Sequence, residues 1–245
     1  MLPAPDVKRF TVITGHYGCG KTNLAVNLAL DLRATYDEVT VVDLDVVNPY
    51  FRSSDYTGML AEHGVDVIAP TFAGTTLDAP SLSPAIYSAF EKVGAVIFDV
   101  GGDDAGATAL GRYAEDIRAI DYDLLYVVNR YRSLTATPAE AADLLGEIEF
   151  ASHLSATGVV NNSHLREQTT AATVLDSMPY ARATADLLGL PLRFTTVPVH
   201  LLGELTAGSG EAGTGAPGVE NAYPVQIHVR TPWEDAPGDS LEVAR

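Results

Sequence analysis

Eight short apolar runs recur along this chain of 245 residues, and their spacing limits the folds open to it. The first seven are FTVITG from Phe10, EVTVVDLD from Glu38, VDVIAP from Val65, AVIFDV from Ala95, LLYVVN from Leu124, ATGVVN from Ala156 and RFTTVP from Arg193. The eighth, YPVQIHVRTPWE from Tyr223 to Glu234, alternates with period two and reads as a late strand at a sheet edge. Between them lie segments with helical spacing, at Asn23–Leu32, Pro80–Glu91, Pro138–Ile148 and Thr170–Leu188. Nearly unbroken apolar strands alternating with helices specify a parallel sheet covered on both faces, wound with right-handed crossovers. The expectation is an α/β fold, doubly wound, with a mainly parallel sheet of seven or eight strands. No linker splits the chain, so residues 1–235 are read as one domain. The glycine-rich stretch 205–218 is read as a flexible loop or a lid, and 236–245 as a loose tail.

In such sheets ligands collect beyond the carboxyl ends of the strands. The residues there are small or polar: Gly15 onward, Asp43 and Asp45, Asp99 with Gly101 and Gly102, Asn129 with Arg130, and Asn161 with Asn162. The first of these ends is the most informative. Gly15, Gly20, Lys21 and Thr22 satisfy G-x-x-x-x-G-K-[ST], with a strand before and a helix after. Backbone N–H groups of such a loop point at phosphate oxygens, and glycine is needed where a side chain would collide with them. The expected cradle is Gly15, Gly18, Cys19, Gly20, Lys21, Thr22 and Asn23. Lys21 reaches the β- and γ-phosphates, and the Thr22 hydroxyl sits on Mg²⁺.

Two downstream stretches complete the pattern. In VVDLDVVNPYFR, Asp43 and Asp45 stand two apart at a strand end and point the same way; one can join the metal shell while the other orients an attacking water. In AVIFDVGGDDAGATALGRY, an apolar strand ends in Asp99, which would bind Mg²⁺ directly or through water. Gly101 and Gly102 give a hinge able to follow a γ-phosphate. Asp103 and Asp104 suit either a solvated turn or a partner contact.

Composition excludes several alternatives. With 15 Lys+Arg against 32 Asp+Glu the net charge is -17, which repels nucleic-acid backbones and anionic lipid. No long apolar run spans a membrane and the first residues lack the order of a signal peptide, so the expected location is cytoplasmic. The single cysteine, Cys19, cannot form an internal disulfide. A helix N-terminus and Lys21 would lower its pKa, but a small space-filling role fits better than a redox one. His63, His153 and His164 show no ligand spacing and are read as structural or exposed.

Taken together these motifs resemble the P-loop ATPases of the MinD/ParA (SIMIBI, nitrogenase iron protein-like) type. They are closer still to bacterial ATP-binding proteins carrying GHYGxGKT, VDLDxVNPYFR and DVGGDDxGAxALGRY, over Phe10 to about Trp233. The resemblance implies a P-loop NTPase in which the Walker A and Walker B strands are adjacent. It also implies Mg²⁺-dependent ATP binding, slow hydrolysis and often a homodimer sandwiching ATP. It gives Lys21 and Thr22 to phosphate and Mg²⁺, Asp45 to the attacking water with Asp43 as its partner, and Asp99 to the Walker B position. Asn161, or Asn162 with the register slipped by one, matches the asparagine that holds the adenine edge in many relatives.

The sequence departs from that type at one place: His16 and Tyr17 stand where the signature lysine and a glycine belong, so the lysine that reaches a partner's phosphates is missing. Arg52 or Arg130 are the candidate replacements. The functional expectation is a nucleotide-driven switch acting on a protein partner. The alternatives are an ATP-dependent synthetase or kinase for a small carboxylate or hydroxyl, and a non-catalytic scaffold.

Overall fold

A computed structural model of the chain describes residues 5–45, 52–69, 84–102, 104–206, 219 and 221–229. Among these, eight strands form one sheet: β1 (Phe10–Thr14), β2 (Val39–Leu44), β3 (Val65–Ile68), β4 (Ala95–Val100), β5 (Tyr122–Val128), β6 (Gly158–Asn161), β7 (Leu192–Pro198) and β8 (Ala222–Val225). The order is β3-β2-β4-β1-β5-β6-β7-β8, and every pairing is parallel. The glycine-loop strand β1 and the Asp99 strand β4 are direct neighbours, as the motifs imply.

The eighth run lies at the sheet edge but is a strand only over Ala222–Val225; the chain then leaves the ladder. Pro224 lacks a ladder N–H, which an edge tolerates. Of the glycine-rich loop expected at 205–218 all but the first two residues, and the whole tail expected at 236–245, lie outside the described residues.

The helices are α1 (Lys21–Leu32), α2 (Thr57–Glu62), α3 (Pro84–Ser88), α4 (Asp104–Gly111), α5 (Ala114–Arg118), α6 (Pro138–Ser152), α7 (Ala171–Leu188) and α8 (Leu202–Thr206). Both long helices in the second half carry their own start signals. Thr137 Oγ1 accepts the Glu140 N–H at 3.3 Å while the Glu140 carboxylate accepts the Thr137 N–H at 2.9 Å. Thr170 and Thr173 close the same box at the head of α7, and Gly189 ends that helix with φ 65°. Helices α2, α5 and α8 are under two turns long, too short for an apolar period to show. Helix α4, DAGATALG, hides for another reason: its residues are nearly all small, so no polar face alternates with an apolar one.

Successive strand residues face opposite layers. Phe10, Val12, Phe98, Leu124, Tyr126 and Val128 join one cluster with Leu110 of α4, Leu145 of α6 and Ala181 of α7. Ile13, Ile97, Leu125 and Val127 join the other with Leu24, Leu28 and Leu32 of α1 and Leu60 of α2. The two cores hold the strands flat between them, which leaves the strand ends to carry chemistry.

At the start of β5, away from those carboxyl ends, sits a buried ion pair. Arg193 grips Asp123 with both Nη atoms, at 2.8 and 3.1 Å, and Asp123 also accepts from the Lys8 N–H and the Thr157 hydroxyl, each at 2.9 Å. Burial opposes the charge, but these hydrogen bonds outweigh it and hold the carboxyl below its ordinary 3.8. A depressed folded-state pKa adds stability that is complete above the unfolded value and disappears as pH falls through the folded one. Asp123→Asn is therefore expected to cost about 2–4 kcal/mol near neutrality. In denaturant titrations the gap between the two proteins should close as pH drops below about 3.8. A gap independent of pH down to full protonation would refute this.

Candidate nucleotide site

After Thr14 the chain leaves β1 through three glycines with positive φ, 147° at Gly15, 74° at Gly18 and 86° at Gly20. At Gly15 an added Cβ would lie 2.3 Å from the Val127 carbonyl oxygen of β5. At Gly20 it would lie 2.5 Å from Asn162 Nδ2 and 2.8 Å from His164 Nε2. The loop thus follows a path that only glycine can take, pressed against the ends of β5 and β6. Gly20 then serves as the N-cap of α1, and no side chain caps that helix start. An uncapped helix N-terminus under a glycine loop is suited to an anion.

The β4 exit crosses the front of the loop. A Cβ on Gly102 would meet Tyr17 N at 2.5 Å and Lys21 Nζ at 2.7 Å, and one on Gly101 would meet Asp45 Oδ1 at 3.1 Å. Lys21, buried, donates from Nζ to the His16 carbonyl at 3.0 Å. Asp43 and Asp99 face each other in register on β2 and β4, both buried. Asp43 accepts from the Asp45 N–H at 2.9 Å and the Ser54 N–H at 3.1 Å, so its carboxylate ties down the chain on either side of 46–51. Lys21, Asp43, Asp45, Asp99, Gly101 and Gly102 therefore converge, as their positions at strand ends predict.

Asp99 is the unusual member. Its Oδ2 is buried with no hydrogen-bond partner. Burial first, then the neighbouring Asp43 charge, raises its pKa to about 7, against the pull of Lys21 and the Thr22 hydroxyl. Burial raises Asp43 as well. Stacked, desolvated carboxylates beside a threonine hydroxyl are costly unless a cation compensates them, and the residues present fit Mg²⁺. Among the described residues no group of three His, Cys, Asp or Glu side chains could hold a metal by itself. Mg²⁺ needs only one or two protein oxygens beside water and phosphate.

The remaining predicted residues support the loop from behind. Asn162 donates from Nδ2 to the Cys19 carbonyl at 2.7 Å and accepts from Thr196 Oγ1 at 2.6 Å. Asn161 turns away toward α7, donating to Ser177 Oγ at 2.8 Å and accepting from the Ser163 N–H. Cys19 is wholly buried, and burial raises its thiol pKa despite Lys21, which removes the basis for reactivity. Asn23 accepts the N–H groups of His228 and Val229 at 2.8 and 3.2 Å and donates to the Gln226 carbonyl at 2.9 Å. Asn27 exchanges two further bonds with Gln226, and Tyr223 donates its hydroxyl to Asp31 at 2.6 Å.

Of the two candidate arginines, Arg130 is directed elsewhere: it donates to the Asp176 carbonyl of α7 and lies over the Tyr131 ring at 5.6 Å. The Arg52 N–H donates to the Asp55 carboxylate at 3.0 Å at the head of a 3₁₀ turn. Asp104 is exposed in the first turn of α4, and Asp103 lies outside the described residues.

Sequence reasoning missed two neighbours of the loop. Arg132 donates from Nε to the Gly18 carbonyl at 2.7 Å. The His164 ring lies behind Gly20; its Nδ1 accepts the Arg166 N–H at 3.1 Å, which leaves the proton on Nε2. Burial, then Arg132 and Arg166, lower its pKa to about 4, so it is neutral at pH 7. The only signal in the sequence was their place, just past the ends of β5 and β6.

A glycine loop between β1 and α1, with the Asp99 strand alongside in a parallel sheet, is the arrangement of a P-loop NTPase fold. Solved structures agree. The chain is similar to the cell division protein FtsY of Thermotoga maritima at 18% identity and TM-score 0.52, over 80% of this chain and 64% of that one. It is similar to the signal recognition particle 54 kDa protein of Aeropyrum pernix K1, solved with GDP, at 17% identity and TM-score 0.51, over 78% of this chain and 42% of that one. FtsY of Mycoplasma mycoides aligns at 16% identity and TM-score 0.50, over 80% of this chain and 63% of that one. The chain thus spans less than two thirds of the length of each. No protein-family model and no curated protein matches the chain. No helix among the described residues is long and apolar enough to cross a membrane.

Proposed function

We propose that this chain is a Mg²⁺-dependent ATP-binding protein and slow ATPase that acts in the cytoplasm as a nucleotide-driven switch on a protein partner. The observation that carries this reading is the unpartnered Oδ2 of Asp99, buried at the root of the loop beside Lys21 and Asp43. In this reading Gly15, Gly18, Cys19, Gly20 and Asn23 present main-chain groups to the phosphates, and Lys21 neutralises them. Thr22, Asp43 and Asp99 hold Mg²⁺, which supplies charge neutralisation of the phosphate oxygens when bound. Asp45, packed against Gly101, orients the attacking water. Gly102 touches Tyr17 and Lys21, so a change at the γ-phosphate would move the β4–α4 connection and the surface it presents.

The motif resemblance favours the MinD/ParA branch and ATP. A guanine edge asks for a carboxylate to accept its N1–H and N2–H groups, and from Asn161 to Arg166 the chain reads NNSHLR, with none. Both Asn161 and Asn162 are tied to protein groups, so in this reading they fix the strand end while main chain beside them meets the base. A homodimer is part of the proposal, and His16 is too short to replace a lysine in reaching a second subunit.

The test is nucleotide identification combined with size analysis in ATP, ADP and buffer alone. ATP preference and an ATP-dependent change in assembly or partner affinity are expected; GTP preference would reject the ATP assignment. Asp45→Ala is expected to keep ATP bound while hydrolysis falls by about 10²-fold or more. Normal hydrolysis by that variant would remove Asp45 from the role.

A further inference from the structure

We propose that Arg132 is a phosphate ligand acting from within the same chain, supplying the second positive charge of the loop where His16 replaces a lysine. This rests on the nucleotide-site reading above. Arg132 lies in the turn that follows β5, and that turn is fixed from several sides. Asn129, fully buried, accepts the Tyr131 N–H on Oδ1 at 3.0 Å and donates from Nδ2 to the His164 carbonyl at 3.2 Å. The Arg132 N–H donates to the Asn129 carbonyl at 3.1 Å, and the Thr135 N–H donates to the Arg132 carbonyl at 3.1 Å. Tyr180 of α7 holds the Thr135 carbonyl at 2.6 Å. The backbone carrying Arg132 is thereby braced against both β6 and α7.

Its side chain is placed as firmly. Nε donates to the Gly18 carbonyl, and the guanidinium fills the space in front of Gly18, Nε lying 3.5 Å from where a Cβ would stand. A guanidinium has five N–H groups. Among the described residues the Gly18 carbonyl is the one hydrogen-bond partner this side chain has, which leaves both Nη groups for a ligand. The charge is felt across the loop, since it acts on Cys19 on one side and His164 on the other. Lys21 is bonded to the same loop backbone two residues earlier, at the His16 carbonyl. A polyphosphate cradled between residues 15 and 22 would then meet two cations held on the loop, and a planar fork suits phosphate better than an ammonium.

Binding of MgATP, MgADP and AMP to the full chain, measured by calorimetry, tests this. Arg132→Ala is expected to weaken MgATP and MgADP by about ten- to a hundredfold, with AMP much less affected. Arg132→Lys, which keeps the charge, should bind MgATP at least about threefold better than the alanine variant. Unchanged MgATP affinity in Arg132→Ala overturns the inference. So does an equal loss for AMP accompanied by a lower melting temperature, which would mark a purely structural brace. Lys21→Ala is run beside it. If it too keeps MgATP, the nucleotide-site reading has failed; if it loses MgATP while Arg132→Ala keeps it, only the role of Arg132 has failed.

Discussion

Lys21→Ala is expected to lose nucleotide binding, by roughly a hundredfold or more in Kd. The size of the effect follows from where the ammonium sits. It is buried, donates to the His16 carbonyl, and stands against Gly102 and beside Asp99. It is the positive charge facing a set of desolvated carboxylates, and a triphosphate with Mg²⁺ would add further negative oxygens there. Charge-assisted hydrogen bonds in a partly buried site are about twice as strong as neutral ones, and alanine leaves those oxygens without their donor. The same truncation removes the cation beside the buried Asp99, so some loss of thermal stability without nucleotide is expected, smaller than the loss of affinity. Titration with MgATP and a melting curve separate the two; retained binding would end the nucleotide-site reading.

Gly15→Ala should act on the fold itself. A methyl there would lie 2.3 Å from the Val127 carbonyl oxygen, main chain in the middle of the sheet that cannot swing aside. The residue also has φ 147°, which L side chains rarely adopt. Combining backbone strain with overpacking gives about 2–4 kcal/mol, or a melting temperature lower by roughly 5–15 °C. Gly146, in the middle of α6, is the natural contrast. Nothing lies within 4 Å of its Cβ position, and alanine is the better helix former. Gly146→Ala should raise stability by about 0.5–1 kcal/mol. Equal effects from the two substitutions would mean that close approach at Gly15 is not what selects glycine.

Much of this architecture was legible because the informative residues obey local rules. Unbroken apolar runs identify a sheet buried on both faces, and the carboxyl ends of its strands place Lys21, Asp43, Asp45 and Asp99 together. What stayed hidden depends on contacts between distant segments. Nothing in NRYRS distinguishes Arg132 from Arg130, since the two are separated only by which way the turn after β5 directs them. His164 has no ligand spacing, and its importance comes from lying behind Gly20. Asn161 carries a resemblance to a base-binding residue, whereas its side chain is spent on Ser177 and Ser163. For Cys19 the neighbours in sequence would lower the pKa, and burial reverses that sign, which accords with the space-filling role preferred from the sequence.

One pattern was present in plain view. Asn23, Asn27 and Asp31 recur every fourth residue along α1, so they form a polar seam on one side of a helix that beyond Lys21 and Thr22 is otherwise leucine, alanine and valine. Each of the three fastens a piece of Tyr223–Val229. The helix that begins at the phosphate loop is therefore also the peg on which the last described strand hangs, some two hundred residues downstream. Folding of the loop region and docking of that late strand are in consequence one event. The seam remains incomplete until synthesis has passed Val229, and a chain stopped before Gln226 would leave the buried Asn27 amide with the Asn23 carbonyl but without both Gln226 partners.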